Sequence, residues 1–217
     1  MHLKRQEVPK NWPIPRKGGV YVVRPSSKAD EGLPILIILR DLLKVAQNRK
    51  EVKRAINLKQ VLINLSPVRN DNQNTSLFDV ITIVPSKKNY RIDLTENGKF
   101  TAKEISEKES IKKISKVMKK TTLKKGKTQI NLSDGNNFIS DVKCDTNDSA
   151  LINLKDKKIE KIIELKDKAN AIVTKGKHTG KKGIINNIDS KNRMAQVKTP
   201  NGEINVLIKQ LMVIEND

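Results

Sequence analysis

The chain has 217 residues, is 36% hydrophobic and only 3% aromatic, and sets 44 Lys and Arg against 24 Asp and Glu, for a formal net charge of +20. That length allows one to three domains with small cores, and so large a positive excess repels itself until a polyanion neutralises it, which puts nucleic acid first among partners. The single cysteine, Cys144, excludes an internal disulfide and a cysteine-based zinc site and points to a reducing, cytoplasmic compartment; the longest apolar run, Leu33–Leu39, is far short of a membrane span and no signal-peptide core is present, so no membrane partner is expected.

Residues 1–32 hold four prolines and three glycines among basic residues, which predicts an extended arm that becomes ordered against a partner. His2, Lys4, Arg5, Lys10, Arg16, Lys17 and Arg24 supply its charge. Trp12 offers either a flat surface for stacking on a base or ribose, or a plug that packs the arm onto its own domain.

From Leu33 the pattern becomes helical. Ile35, Leu36, Ile38, Leu39, Leu42, Leu43, Val45 and Ala46 fill the core positions of one helix, with Arg40, Asp41, Lys44 and Gln47 on a narrow polar edge and Pro34 in the first turn. After the polar break Asn48-Arg49-Lys50, Val52, Ala55 and Ile56 predict a second, short helix that leaves Lys50, Lys53 and Arg54 on its opposite side. The β-branched runs Val61–Leu65 and Asp79–Val84 predict strands separated by a polar loop, so that an α-hairpin lies on a small sheet. By itself this stretch fits both an RNA-binding module and an ordinary helical hairpin with solvated charges.

Tyr90–Thr95 and Lys99–Ile105 alternate apolar and polar residues around Asn97-Gly98, which predicts a β-hairpin closed by a two-residue turn. Residues 106–128 form the most basic run; Ile111, Ile114 and Met118 stand at helical spacing, its second half reads equally as strand, and composition alone suits a solvated connector. Short β-runs at TQINL, NNFI, ALINL and IEKIIEL, separated by Asp-Gly, Asn-Asp and Asp-Lys turns, predict a second small β domain over 107–168. From 169 to 217, the runs AIVTK, GIINNI, MAQVKT and INVLI, with a glycine-rich basic loop and an Asn-Gly turn, predict a small SH3-like barrel. The glycines of that loop let Lys175, Lys177, His178, Lys181 and Lys182 approach a partner closely. A phosphate-loop reading fails there: Gly176 and Gly180 are one residue too close, and Lys182 stands where Ser or Thr must hold magnesium.

No arrangement for catalysis is legible. His2 and His178 have no partner at metal-ligand spacing, Cys144 reads as a buried bystander, and the carboxylates are scattered among lysines. The expectation is a protein with no enzymatic activity, no catalytic or metal-binding residue, no cofactor and no small-molecule substrate.

The helix–helix–strand order from LPILIILR and EVK through VLINLSPVR to DVITI resembles the S-four-type RNA-binding domain, in which paired short helices present basic side chains beside a β-loop. Where that family has a glycine-containing turn, this chain has Leu65-Ser66-Pro67. HLKR, PKNW, KGGV, RPSS and FDVI, together with the two helices, resemble over nearly the whole chain the archaeal and eukaryotic ribosomal family S-four-e, and the loop at Lys175–Lys182 resembles a KOW motif. The resemblance implies an α+β multidomain fold: a basic arm over 1–32, an S-four-type RNA-binding domain with its β-hairpin over 33–106, a central β-rich domain over 107–168 and a KOW barrel over 169–217. It implies an archaeal-type constituent of the small ribosomal subunit, located on cytoplasmic ribosomes, whose partners are ribosomal RNA and neighbouring ribosomal proteins. Candidate RNA contacts are the arm cations and Trp12; Arg40, Lys44, Arg49, Lys50, Lys53, Arg54 and Arg69; and the basic residues of the 175–182 loop. The rival readings are an accessory of an RNA-modifying enzyme and a KOW-containing transcription elongation factor.

Overall fold

The computed structural model describes residues 2–123, 127–140, 142–189 and 191–215. Part of the lysine-rich run, residues 124–126, therefore lies outside the described residues. The architecture is mostly β, with two α-helices and several sheets, and it falls into two compact units: Met1–Leu94 with Lys99–Ile111, and Thr95–Gly98 with Lys112–Asp217.

In the first unit, β1 (Leu3–Lys4) pairs antiparallel with β2 (Tyr21–Val22), and β3 (Gly32–Pro34) leads into α1 (Ile35–Ile37), which continues as a π-helical turn over Ile38–Leu42. Helix α2 (Arg49–Asn57) follows, then β4 (Val61–Ile63), β5 (Ser66–Pro67), β6 (Asn74–Ser76), β7 (Val80–Ile83), β8 (Lys88–Leu94) and β9 (Phe100–Ile105). The main sheet is ordered β5-β4-β7-β8-β9, and β3 pairs with β6 beside it.

The arm does not run extended, contrary to the sequence expectation. Its strands close on each other, and the Trp12 indole is only 2% exposed, with Nε1 donating to Ala29 O at 3.2 Å. Four prolines remove backbone donors, yet they do not stop a chain from packing around one large aromatic side chain. The plug alternative for Trp12 is the one realised.

The first helix is also shorter than its apolar pattern predicts. Ile35 to Leu39 are all buried in succession, so the segment is a core plug with no polar edge. Its first N–H groups are satisfied from outside the helix, Ile35 N by Gln73 O and Leu36 N by Asp71 O. The helix then widens: Leu43 N donates to Ile38 O and Val45 N to Leu39 O, Lys44 takes φ 54°, and Val45 is left exposed. Helix α2 starts as a capped helix should. Asn48 Oδ1 accepts Glu51 N–H at 3.1 Å, Glu51 Oε2 accepts Gln47 N–H at 2.7 Å, and Val52 and Ile56 face the core.

Two turns differ from expectation. The β4–β5 hairpin turns on Asn64 and Leu65, with φ 50° and 62°, the double positive φ of a primed turn. No glycine is needed because Asn64 is held in place: its Nδ2 donates to Asp79 Oδ1 at 2.7 Å and its Oδ1 accepts Val80 N–H at 3.0 Å. At Asn97-Gly98, by contrast, Leu94 pairs with Phe100, so the connection is longer than the predicted two-residue turn. Only Gly98 takes a positive φ (+74°), closing back on Thr95 O at 2.8 Å.

In the second unit, β10 (Lys112–Thr122), β11 (Thr128–Leu132), β12 (Asn137–Ile139), β13 (Ser149–Asn153) and β14 (Lys158–Ile163) form a sheet ordered β12-β11-β10-β13-β14. The basic run that was open between helix, strand and connector is thus in large part the eleven-residue strand β10. Then β15 (Asn170–Val173), β16 (Lys182–Asp189), β17 (Met194–Thr199), β18 (Gly202–Leu207) and β19 (Leu211–Val213) form a sheet ordered β18-β17-β16-β15-β19. Val117, Ile130 and Ile152 centre one core, and Val173, Ile185, Val197 and Val213 the other.

Candidate nucleic-acid interface

Helix α2 separates its charges from its apolar residues. Val52 and Ile56 anchor one side, and Lys50, Lys53 and Arg54, spaced by three and four residues, share the exposed opposite side. None of the three forms an ion pair among the described residues. The one acidic residue of the helix, Glu51, is occupied at the N-terminus, where Asn48 Nδ2 also donates to it at 2.8 Å. Arg49 is different: it is ion-paired with the buried carboxylate of Asp71, which ties the helix to the loop that carries the exposed Arg69. Arg49 therefore serves first as an anchor.

Arg40 is likewise engaged, donating to both oxygens of Asp41 at 3.1 and 2.8 Å. That hydrogen bond raises the guanidinium pKa further, against the opposing effect of burial. Its charge is paired with that of its own neighbour, whereas Lys44, the positive-φ residue after the helical turn, is exposed.

In the arm, Lys4, Lys10, Arg16, Lys17 and Arg24 are exposed. Arg5 braces the arm from within, Nε donating to Gly19 O at 2.7 Å and Nη1 to Pro15 O at 2.6 Å. The stacking role assigned to Trp12 is corrected, since an indole buried to 2% exposure has no face to offer a base. The exposed aromatic surface lies instead at Tyr21, whose ring is 5.2 Å from that of His2, centroid to centroid.

In the second unit, the loop between β15 and β16 is built on its backbone. Gly180 N donates to Val173 O at 2.8 Å and Thr179 Oγ1 to Gly176 O at 2.6 Å. Both glycines have positive φ, +95° at Gly176 and +89° at Gly180, and a Cβ on Gly180 would stand 2.0 Å from Thr95 O. On this frame Lys175, Lys177 and Lys182 are exposed and His178 and Lys181 half-buried.

The sequence matches a known group. The model of the ribosomal family S4e matches residues 86–159, and that of the RS4NT domain matches residues 1–27. The chain is 35% identical over 223 residues to the small ribosomal subunit protein eS4 of Methanosphaera stadtmanae, covering all of this chain and 92% of the relative. The chain belongs to the ribosomal S4e family. The eS4 protein of Methanocella arvoryzae is 34% identical, with 100% of this chain and 94% of the relative covered. The crystal structure of the 30S ribosomal protein S4e of Thermoplasma acidophilum shares the fold, with a TM-score of 0.73 at 24% identity over 86% of this chain and 96% of that one.

Within this S4e chain, the charged residues that sequence reading missed are mostly buried ones. Lys113 is paired with Asp134 at 2.5 Å, both side chains almost wholly buried. Burial alone would raise the Asp134 pKa, but Lys113 and the N–H groups of Asn136 outweigh it and leave it lowered. Lys116, 3% exposed, donates to Ile208 O and Leu211 O, each at 2.6 Å, and burial lowers its pKa to about 8. Cys144 is buried and its thiol pKa is raised chiefly by that burial, the reverse of what a nucleophilic thiolate requires. Among the described residues no cluster of His, Cys, Asp and Glu could hold a metal ion. No helix among them is long and apolar enough to cross a membrane.

Proposed function

We propose that this chain is a structural constituent of the small ribosomal subunit, binding ribosomal RNA through several basic surfaces. The observation that carries the reading is similarity along the entire chain to proteins named small ribosomal subunit protein eS4. The site geometry supports it: an unpaired cationic face on a capped helix suits phosphates, which dominate affinity for nucleic acid. Double-stranded RNA hides its base edges in a deep groove, and a chain with so few aromatic residues reads backbone shape in preference to sequence.

The mechanism is multivalent. Each surface binds weakly, and their covalent connection raises the effective concentration of the next once the first has engaged. In this reading 1–32 is a basic arm, 33–106 the S-four-type RNA-binding domain, 107–168 the central β-rich domain and 169–217 the KOW barrel. Lys44, Lys50, Lys53, Arg54 and Arg69 contact RNA from the second of these, and Lys175, Lys177, His178, Lys181 and Lys182 from the last. Its neighbours are other small-subunit proteins on cytoplasmic ribosomes, and its role in translation is architectural, without catalysis.

Sedimentation of native lysate through a sucrose gradient tests the proposal. The chain is expected with the small subunit and stays there when salt is raised enough to strip loosely held factors. Recovery at the top of the gradient, or with RNA polymerase, would overturn it and favour the accessory or elongation-factor role.

A further inference from the structure

The arm encloses a groove of about 1000 Å³ in the first unit. Its walls carry six cations, Lys4, Arg5, Lys10, Arg16, Lys17 and Lys99, and no carboxylate. The nearest acidic side chain in sequence, Glu7, accepts the Lys4 backbone N–H. Between the cations the surface is apolar, supplied by Val8, Ile14 and Val20. Cations set around an apolar surface suit a ligand with charged and flat aromatic parts in alternation.

The edge of the groove supplies the flat partner. Tyr21 pairs with Lys4 across β1 and β2, next to Val20, which lines the groove. The chain spends its few aromatic residues almost entirely inside: Trp12, Phe78 and Phe100 are buried and Tyr90 and Phe138 half-buried, whereas Tyr21 is 64% exposed. It is the one exposed Trp, Tyr or Phe among the described residues, and the His2 ring lies against it.

Resting on the reading that the chain binds ribosomal RNA, we infer that the arm groove takes a single-stranded segment, with an unpaired base stacked on Tyr21 beside His2 and the flanking phosphates on the groove cations. A duplex would offer the groove phosphates and ribose but no base face for Tyr21, because paired bases are stacked on each other. A strand with splayed bases satisfies both halves of the site. Arg5, fixed by Gly19 O and Pro15 O, braces one wall of the groove from within the arm.

The test uses the full chain and two probes: a single-stranded oligoribonucleotide carrying 2-aminopurine, and a fully paired RNA duplex of the same length. Tyr21→Ala is expected to weaken single-strand binding roughly tenfold and to abolish the fluorescence quenching that stacking causes, with duplex binding unchanged. Tyr21→Phe keeps both properties. Combined Lys10, Arg16 and Lys17→Ala lowers the salt slope for the single strand by about 2. Unchanged affinity and quenching in Tyr21→Ala would overturn the inference, as would equal competition by polyglutamate, which marks a general anion site. Duplex binding without single-strand binding by the wild type sinks this inference alone, and binding of neither probe sinks the RNA-binding reading with it.

Discussion

Replacing Lys50, Lys53 and Arg54 together by Ala tests the α2 surface directly. All three side chains are exposed and outside ion pairs, so the substitution leaves the Val52–Ile56 contact and the Asn48–Glu51 cap intact, and Ala favours the helix. If each residue neutralises one phosphate, each contributes about 0.7–0.9 to the slope of log affinity against log salt, or about 2–3 for the set. At 0.1 M salt the same release of counterions is worth about two decades of affinity. Anisotropy with a labelled fragment of small-subunit RNA, titrated over salt, measures both, and far-UV circular dichroism verifies that the helix survives. An unchanged slope would falsify the assignment of this face to RNA. A loss of affinity at constant slope would equally refute the reasoning, because it would mean that the residues act without displacing counterions.

Two further predictions concern the second unit. Lys116 has a folded pKa of about 8 against an ordinary 10.5, so between these values the unfolded chain holds a proton that the folded chain has released; stability rises with pH across that window, by up to roughly 3 kcal/mol from this group. Urea unfolding at several pH values should show this rise in the wild type and its absence in Lys116→Met, and parallel curves would refute the assignment. Gly180→Ala puts a Cβ where Thr95 O stands 2.0 Å away and costs about 1–2 kcal/mol from backbone conformation alone. Gly135→Ala, with similar φ (+87°) and open space, carries only the conformational part, so calorimetry should find Gly180→Ala the less stable; equal losses would remove the close approach as a cause.

The sequence was readable where one rule acts over a few residues. The EVKRAI segment became α2 with Val52 and Ile56 inward, and the alternating runs at 128–132 and 194–199 became β11 and β17. It misled where a local signal competes with a distant partner. Asn97-Gly98 carries the strongest local signal for a two-residue turn, yet the hairpin closes with Gly98 alone at positive φ. Asn64-Leu65 carries no such signal and forms the primed turn, because Asp79, fifteen residues on, grips Asn64. Composition likewise marked Trp12 as an aromatic among cations and was silent on its depth, which Ala29 and the arm's return through Tyr21–Val22 decide.

The same distinction governs the candidate interface. Spacing alone placed Lys50, Lys53 and Arg54 on one face, but it could not separate them from Arg49, whose partner Asp71 lies 22 residues away. The structure shows where several of the carboxylates go. Asp71 holds Arg49, Asp134 holds Lys113, and Asp148 receives the N–H groups of Asp145 and Leu165. These acids are engaged in the fold as counterions and backbone clamps. The net charge of +20 thus leaves cations such as Lys50, Lys53 and Arg54 outside any ion pair among the described residues. The arrangement that gives each unit its internal order is the one that leaves its outer cations to a polyanion.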